Sequence, residues 1–325
     1  MPLTGLPPKP LRLSLDRIEQ ARHVIDRVFL DTPQFENPSL SEQVGCRLIV
    51  KVETLNPIGS FKARGAYFLT SQLPVRSNLV CATAGNFGQG MAHAARRRGL
   101  PITIFTSSDA NPRKIERMRA FGADMRTAGN DPDEAHRAAA AFAAETGALL
   151  VDDGRNHQIS EGAGTIGMEL LRWPEPFDAM LVPVGDGALL SGVARWVKAH
   201  SPGTRMIGVC ASGAPAMAQS WRARRVVANV KADTIAEGLA VQTPFAESVA
   251  DLTALADDFL LVADETIVAG MRLAHRELGL VLEPSGAAGL AAVLSHRERF
   301  LGQRVVTILT GGGCLTDEQM RNWLA

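Results

Sequence analysis

Apolar and polar positions divide the chain into short apolar runs and longer stretches of helical spacing. Six runs are rich in β-branched residues and nearly free of polar positions, as strands covered on both faces should be. They occupy residues 47–53, 78–84, 102–106, 179–184, 205–210 and 304–310. Between them, apolar residues recur at helical spacing, and several stretches stop at a glycine. These predicted helices occupy residues 87–99, 112–122, 131–147, 165–173, 188–200 and 265–278.

This alternation of strands and helices predicts an α/β fold. Its sheet should be parallel and covered by helices, with ligands bound at the carboxyl ends of the strands. The length of 325 residues is long for a single domain and suits two lobes. No change in composition along the chain marks the boundary between the lobes.

Composition and charge exclude several classes of protein. The 34 basic and 34 acidic residues cancel, so no basic excess exists to bind nucleic acid or an anionic membrane surface. No window approaches the roughly 20 apolar residues of a membrane span, and the proline-rich start lacks the apolar core of a secretory signal. The cysteines are far apart in the sequence: Cys46, Cys81, Cys210 and Cys314. They form no CxxC pair, which predicts reduced thiols in a cytoplasmic protein and no zinc site.

Three glycine-rich turns follow predicted strands and open predicted helices. They are ATAGNFGQG (82–90), VGDGALLSG (184–192) and LTGGGC (309–314). In such a turn, backbone N–H groups converge on an anion with the help of the helix dipole. The spacing in 184–192 is not that of a dinucleotide fingerprint, and the sequence contains no Gly-Lys pair of a P-loop. Any one of these turns could instead reflect only positive φ or close helix packing.

Lys62 stands in a fourth unusual segment, NPIGSFKARGA (56–66), in a chain with six lysines against twenty-eight arginines. It follows a turn, opens a predicted helix and has an aromatic neighbour. Pyridoxal phosphate would explain the lysine and the turns together, because it needs an anion cradle, a stacking surface and an amine for a Schiff base. The plainer interpretation of a lone lysine is a solvated side chain on a helix surface.

These segments resemble the fold-type II pyridoxal-phosphate enzymes, specifically the threonine/serine dehydratase and serine racemase family. The lysine motif is accompanied in family order by TAGNF (83–87), GDGA (185–188), EPSGA (283–287) and TGG (310–312). The resemblance implies a two-lobed fold like that of the tryptophan synthase β subunit. Its large cofactor-binding lobe would comprise residues 1–55 and 153–325, and a smaller mobile lobe would comprise approximately 56–152. It also implies a homodimer.

The resemblance further assigns a role to each matching residue. Lys62 would form the Schiff base and later act as the base at Cα, Asn86 would bond the 3-oxygen of the ring, and Thr310 would meet the pyridine nitrogen. Phe61 would pack beside the cofactor. The phosphate would be held by the backbone of Gly185, Asp186, Gly187, Ala188 and Leu189. Because Asp186 replaces a glycine of the family loop, its carboxylate should point away from the phosphate.

The same resemblance places the substrate carboxylate on a loop at a helix start, where negative charge is favoured. This loop consists of Thr83, Ala84, Gly85, Asn86 and Phe87. Phe87 stands where the family has a histidine. Its ring could face a bulky β-substituent, such as that of 3-phenylserine, or could turn into the core. Glu283 could line the site or simply cap a turn.

The implied activity is the dehydration of a β-hydroxy-α-amino acid to a 2-oxo acid and ammonia. Within the family, β-replacement or racemisation is the alternative, although Ala84 offers no transferable proton where serine racemases have a serine. Outside it, a nucleotide-dependent α/β enzyme is the alternative. We expect no metal requirement, because ASGAPA (211–216) offers no carboxylate where family members with a metal site have acidic ligands.

Overall fold

The computed structural model describes residues 11–108, 110–229 and 231–324. Within these ranges the chain forms ten strands. Their bounds are β1 Gln34–Glu36, β2 Arg47–Val52, β3 Leu79–Ala82, β4 Ile102–Thr106, β5 Asp124–Thr127, β6 Leu149–Leu150, β7 Ala179–Pro183, β8 Arg205–Ala211, β9 Asp258–Val262 and β10 Arg304–Leu309. All six strands predicted from apolar runs are present.

Helices connect and cover these strands. Their bounds are α1 Leu15–Val24, α2 Pro38–Val44, α3 Ala63–Ser71, α4 Asn86–Arg98, α5 Pro112–Ala120, α6 Pro132–Thr146, α7 His157–Leu170, α8 Ala188–His200, α9 Ala216–Ala223, α10 Ala246–Leu255, α11 Asp264–Leu278, α12 Pro284–Ser295 and α13 Asp317–Leu324. Lys62 directly precedes α3, as its sequence context predicts.

The strands form two sheets. The larger has the order β1-β2-β10-β7-β8-β9, and the smaller has the order β5-β4-β3-β6. Every pairing is parallel except that of β1 with β2. The parallel α/β prediction is therefore confirmed. All strands of the smaller sheet lie between residues 79 and 150, whereas the predicted lobe boundaries stay a prediction.

The predicted helix over residues 165–173 is wrong at both ends, because α7 spans His157–Leu170. The middle of α7 is a glycine-rich segment, EGAGT (161–165). The glycines serve close helix packing: a Cβ on Gly162 would lie 2.5 Å from the Arg64 carbonyl oxygen. On the facing helix, a Cβ on Gly65 would lie 2.5 Å from the Ile159 carbonyl oxygen. Helices α3 and α7 therefore meet backbone to backbone.

A buried ionic network joins the same two helices to β2. The Arg64 guanidinium is fully buried and bonds Glu53 at 2.7 Å and Glu169 at 2.6 Å. The Lys51 ammonium bonds Glu169 at 2.5 Å and the Thr32 carbonyl oxygen at 2.7 Å. Burial alone would raise the pKa of Glu169, but the two cations hold it at about 2. Arg64 is therefore a structural, ion-pairing residue.

Arg64→Ala should destabilise the protein strongly, because it leaves two buried carboxylates short of a counter-charge. We expect a loss of about 3–5 kcal/mol in the free energy of unfolding, measured by urea titration. Arg172→Ala is the matched control, since Arg172 pairs with Asp31 where both side chains are more than half exposed. It should lose about 1 kcal/mol or less. Equal losses in the two variants would contradict this account of the network.

Candidate active site

The turn before Lys62 is held by the side chain of Asn56. The Asn56 amide nitrogen donates to the carbonyl oxygens of Glu53 and Ser60, at 2.8 and 3.1 Å. Its oxygen accepts the backbone N–H groups of Ile58 and Ser60. This side chain satisfies backbone groups that no strand or helix pairs, so the chain leaves β2 in a fixed turn and enters α3 at Lys62.

The same turn lies against the end of β10. Ser60 forms a β-bridge with Gly311, and the Phe61 N–H donates to the Thr310 carbonyl oxygen at 3.2 Å. The Thr310 hydroxyl donates to the Ser285 carbonyl oxygen at 3.4 Å. The structure therefore brings together Phe61, Lys62 and Thr310, which stand almost 250 residues apart in the sequence.

The loop of residues 83–87 follows β3 and opens α4. Its Gly85 N–H donates to the Thr83 hydroxyl at 3.1 Å, and no side chain caps α4. The Asn86 amide nitrogen donates to Glu283 Oε1 at 2.6 Å, while its oxygen accepts from Gln89 Nε2 at 2.9 Å. The helix start thus keeps N–H groups available for an anion, and Asn86 is held from both sides.

Glu283 lines this site and also stands at the N-cap position of α12. Its side chain is buried, and besides Asn86 it faces the Lys114 ammonium at 3.4 Å. Lys114 in turn bonds Glu237 at 2.8 Å. The contacts with Asn86 and Lys114 agree with a residue that lines the site, whereas the Glu283 side chain makes no capping hydrogen bond to α12. Sequence reasoning missed Lys114, although it is one of only six lysines.

The loop between β7 and α8 forms the candidate phosphate cradle. Gly187 occupies the N-cap position of α8 with φ +93°, and no side chain caps this helix. Ala188 and Leu189, the first residues of α8, are buried. A left-handed glycine followed by uncapped N–H groups is a donor set that suits a phosphate.

Carboxylates surround Lys62 on the side of this cradle. The Lys62 ammonium forms an ion pair with Asp153, which sequence reasoning missed, and lies 4.9 Å from the Phe61 ring centre. Burial, together with the neighbouring charge of Asp153, raises the pKa of Asp186 to about 7. In the sequence, the ion pair of Asp153 with Lys62 is signalled only by two adjacent acids after β6, Asp152 and Asp153. The expected direction of Asp186 relative to a phosphate stays a prediction.

Phe87 is only 6% exposed. It belongs to an apolar cluster that also contains Met91, Ile104 and Met118. These neighbours come from α4, β4 and α5. This packing agrees with a ring turned into the core.

Other predicted features concern metals, thiols and membranes. Among the residues that the structure describes, no group of three or more His, Cys, Asp and Glu side chains could together hold a metal ion. The absence of a metal requirement stays a prediction. The four cysteines are unpaired thiols, and all are buried. None of the described helices is both long and apolar enough to cross a membrane.

Comparison with known proteins distinguishes a pyridoxal-phosphate enzyme from a nucleotide-dependent enzyme, the two classes that the sequence left as alternatives. Residues 25–311 match the family model described as pyridoxal-phosphate dependent enzyme. The chain belongs to this family. Its cofactor is pyridoxal phosphate, and the alternative of a nucleotide-dependent enzyme is set aside. The site fits the cofactor, because it offers a lysine amine, an uncapped helix start after a left-handed glycine and the hydroxyl of Thr310.

Individual relatives cover most of this pyridoxal-phosphate enzyme. It is 33% identical to an L-threonine ammonia-lyase of Thermotoga maritima over 92% of this chain and 75% of that protein. It is 31% identical to an L-threo-3-hydroxyaspartate ammonia-lyase of a Pseudomonas species, over 86% of this chain and 89% of that protein. The structure of maize serine racemase superposes with a TM-score of 0.89 at 29% identity, over 95% of this chain and 96% of that one. The fold-type II assignment is confirmed.

Gly187→Ala should weaken retention of the cofactor, because an alanine at positive φ strains the cradle by about 1–2 kcal/mol. We expect the Kd for pyridoxal phosphate, measured by titrating cofactor-free protein, to rise roughly tenfold. The control is Gly203→Ala, since Gly203 lies in an exposed turn where a Cβ would meet no atom within 4 Å. An unchanged Kd in Gly187→Ala would contradict the assignment of this loop.

The raised pKa of Asp186 predicts a pH dependence of stability. Unfolded protein ionises this carboxyl above its ordinary pKa of 3.8, whereas folded protein keeps the proton until about 7. The folded state therefore binds more protons in this window, and its stability falls as the pH rises through it. Cofactor-free wild type should melt at a lower temperature at about pH 8 than at about pH 5.

Between these two pH values, the melting temperature of Asp186→Asn should fall less than that of the wild type. Glu265→Gln, which removes an exposed carboxylate at the start of α11, should behave as the wild type does. A pH dependence of Asp186→Asn as steep as that of the wild type would assign the effect to another group.

Proposed function

We propose that this chain is a β-eliminating ammonia-lyase for a β-hydroxy-α-amino acid of the threonine or serine type, releasing a 2-oxo acid and ammonia. The observation that carries the proposal is the hydroxyl of Thr310 at the end of β10, beside the lysine turn. Thr310 would offer the ring nitrogen of bound pyridoxal phosphate a hydroxyl in place of a carboxylate, which would leave that nitrogen unprotonated. This favours loss of the β-hydroxyl over transamination.

The other steps of the proposed reaction are assigned to individual residues of the chain. Lys62 removes the proton from Cα of the substrate. The uncapped N–H groups at residues 83–87 would bind its α-carboxylate. Asn86, held by Glu283 and Gln89, would orient the cofactor ring. Pyridoxal phosphate, when bound, supplies the sink for the electron pair left at Cα.

Relatives support elimination and also mark the alternative. The Thermotoga and Pseudomonas proteins are named as ammonia-lyases, and the maize structure is named as a serine racemase. Racemisation needs a group that handles a proton on the face of Cα opposite Lys62. The methyl side chain of Ala84 in the substrate loop cannot do so. We therefore favour the lyase over the racemase, and over β-replacement.

The size of the substrate is the finer part of this proposal. A bulky β-substituent, as in 3-phenylserine, would require the Phe87 ring to face the substrate. The burial of Phe87 in the apolar cluster with Met91 and Ile104 supports the smaller substrates. We keep 3-phenylserine as a test compound, because the ring adjoins Asn86 in the chain.

Three further features stay proposals from the sequence. They are the homodimer, the cytoplasmic location and the division into lobes at approximately residues 56 and 152. Sedimentation of the holoenzyme addresses the first of them. A dimer mass supports the proposal, and a monomer mass at assay concentration contradicts it.

Lys62→Ala should abolish ammonia release, because no other group replaces both the amine and the base. Ammonia is measured from L-threonine, L-serine and L-threo-3-phenylserine, together with the visible absorption of the protein. We expect the wild type to be yellow, bleached by borohydride, and active on the smaller substrates. Lys231→Ala, which removes an exposed lysine, is the control and should match the wild type.

Several outcomes would contradict parts of this proposal. Normal turnover by Lys62→Ala would overturn the reaction, and D-serine formed faster than pyruvate would favour the racemase. A preference for 3-phenylserine that Phe87→His removes would place the ring against the substrate.

A further inference from the structure

Lys114 is a buried lysine of α5 that the proposed reaction does not use. Its side chain is only 6% exposed and pairs with Glu237 at 2.8 Å and with Glu283 at 3.4 Å. Burial by itself would lower the pKa of this ammonium, but the charges of Glu283 and Glu237 raise it above its ordinary value. Lys114 is therefore a buried cation held by two carboxylates.

The two carboxylates depend on Lys114 to different degrees. The Glu237 side chain is 52% exposed, so water can solvate its charge. The Glu283 side chain is only 9% exposed, and its Oε2 has no hydrogen-bond partner among the described residues. In the same part of the chain, Lys114 is the one cation that pairs with Glu283. A buried carboxylate without a counter-charge is strongly unfavourable, so Glu283 depends on Lys114.

Glu283 in turn determines which end of the Asn86 amide faces it. Asn86 Nδ2 donates to Glu283 Oε1 at 2.6 Å, and Asn86 Oδ1 accepts from Gln89 Nε2 at 2.9 Å. An ionised carboxylate only accepts, so the amide nitrogen must face it, whereas an uncharged carboxyl could donate and admit the reverse orientation. An amide nitrogen carries two hydrogens, and the bond to Glu283 uses one of them.

The bond between Asn86 and Glu283 lies against the segment that carries Thr310. A Cβ on Gly311 would lie 2.5 Å from Glu283 Oε1 and 2.9 Å from Asn86 Nδ2. The Glu283 N–H also donates to the Gly311 carbonyl oxygen at 3.1 Å. Thr310 precedes Gly311 and is the residue assigned to the ring nitrogen. This position agrees with a bond from Asn86 to the same ring.

We propose that Lys114 is a positioning residue: it keeps Glu283 charged and in place, so that Asn86 presents its second amide hydrogen to the 3-oxygen of bound pyridoxal phosphate. This inference rests on the proposed function, in which Asn86 orients the cofactor ring. Lys114 lies between β4 and β5 of the smaller sheet, whereas Glu283 lies between β9 and β10 of the larger sheet. The orientation of the ring therefore depends on a contact between the two parts of the molecule.

A double-mutant cycle on cofactor binding tests this inference without turnover. The Kd for pyridoxal phosphate is measured by titrating cofactor-free protein, and the visible absorption maximum is recorded for the loaded protein. Lys114→Met, which removes the charge, should raise the Kd about tenfold, and so should Asn86→Ala. Both should shift the absorption maximum in the same direction. Because Lys114 acts through Asn86, the double variant should bind within about threefold of Asn86→Ala alone.

Two outcomes of this cycle would overturn the inference. The first is a pair of losses that add to roughly a hundredfold in the double variant. The second is an absorption maximum that Asn86→Ala shifts and Lys114→Met leaves unchanged.

Arg113→Met is the matched control on the same helix. Arg113 donates to the Leu315 carbonyl oxygen at 2.6 Å and pairs with Asp317 at the surface. It thus fixes α5 to the segment after β10 through contacts that do not involve Glu283. Its Kd should stay within about threefold of the wild type. A tenfold rise would assign the effect of Lys114 to the docking of α5 and contradict the proposal.

A second double variant keeps the test decisive if Lys114→Met alone does not fold. Adding Glu283→Gln removes the unpaired buried charge, while the glutamine oxygen still accepts from Asn86. Lys114→Met with Glu283→Gln should therefore fold and bind pyridoxal phosphate within about threefold of the wild type. A Kd raised tenfold or more in this folded variant would show that Lys114 does not act through Glu283.

Ammonia release from L-threonine is measured separately. If the wild type releases no ammonia while the cycle holds, the proposed reaction fails and the role of Lys114 stands. If Asn86→Ala binds pyridoxal phosphate as the wild type does, the assigned role of Asn86 fails, and the inference about Lys114 fails with it.

Discussion

The buried ionic network around Arg64 is the constraint on which the rest of the site depends. It fastens α3, which begins immediately after Lys62, to β2 of the larger sheet and to α7. Charges this deep contribute little net stability, yet each is unfavourable without its partners, so the arrangement admits few alternatives. Such a network fixes a position more than it adds stability, and the position that it fixes is that of Lys62, the proposed catalytic lysine.

The other segments of the candidate site follow the carboxyl ends of strands, as the lysine turn does. The lysine turn follows β2, Thr310 follows β10, the anion cradle follows β7, and the loop of residues 83–87 follows β3. The first three strands are neighbours in the larger sheet, and the fourth belongs to the smaller sheet. Parallel strands place their carboxyl ends at one edge, so residues from distant parts of the chain meet there without any long connection.

Much of this arrangement could be predicted from the sequence, because motifs and strand patterns are local. The lysine segment, the glycine turns and the parallel α/β order required only short windows. Partners from remote segments could not be predicted this way. Asp153 pairs with Lys62, which lies 91 residues earlier in the chain. Lys114, on α5, faces Glu283 at the start of α12. The start of α7 was missed because its glycines, read locally, argue against a helix, whereas packing against α3 requires them.

The backbone contact between Gly65 and Gly162 has a consequence for directed evolution. A library that varies only residues near the substrate would omit both, since their role is to let two helices touch. Yet any larger side chain at either position would push α3 outward and carry the lysine with it. In a scan of all single substitutions, these two glycines should therefore group with the catalytic residues, although neither takes part in the chemistry.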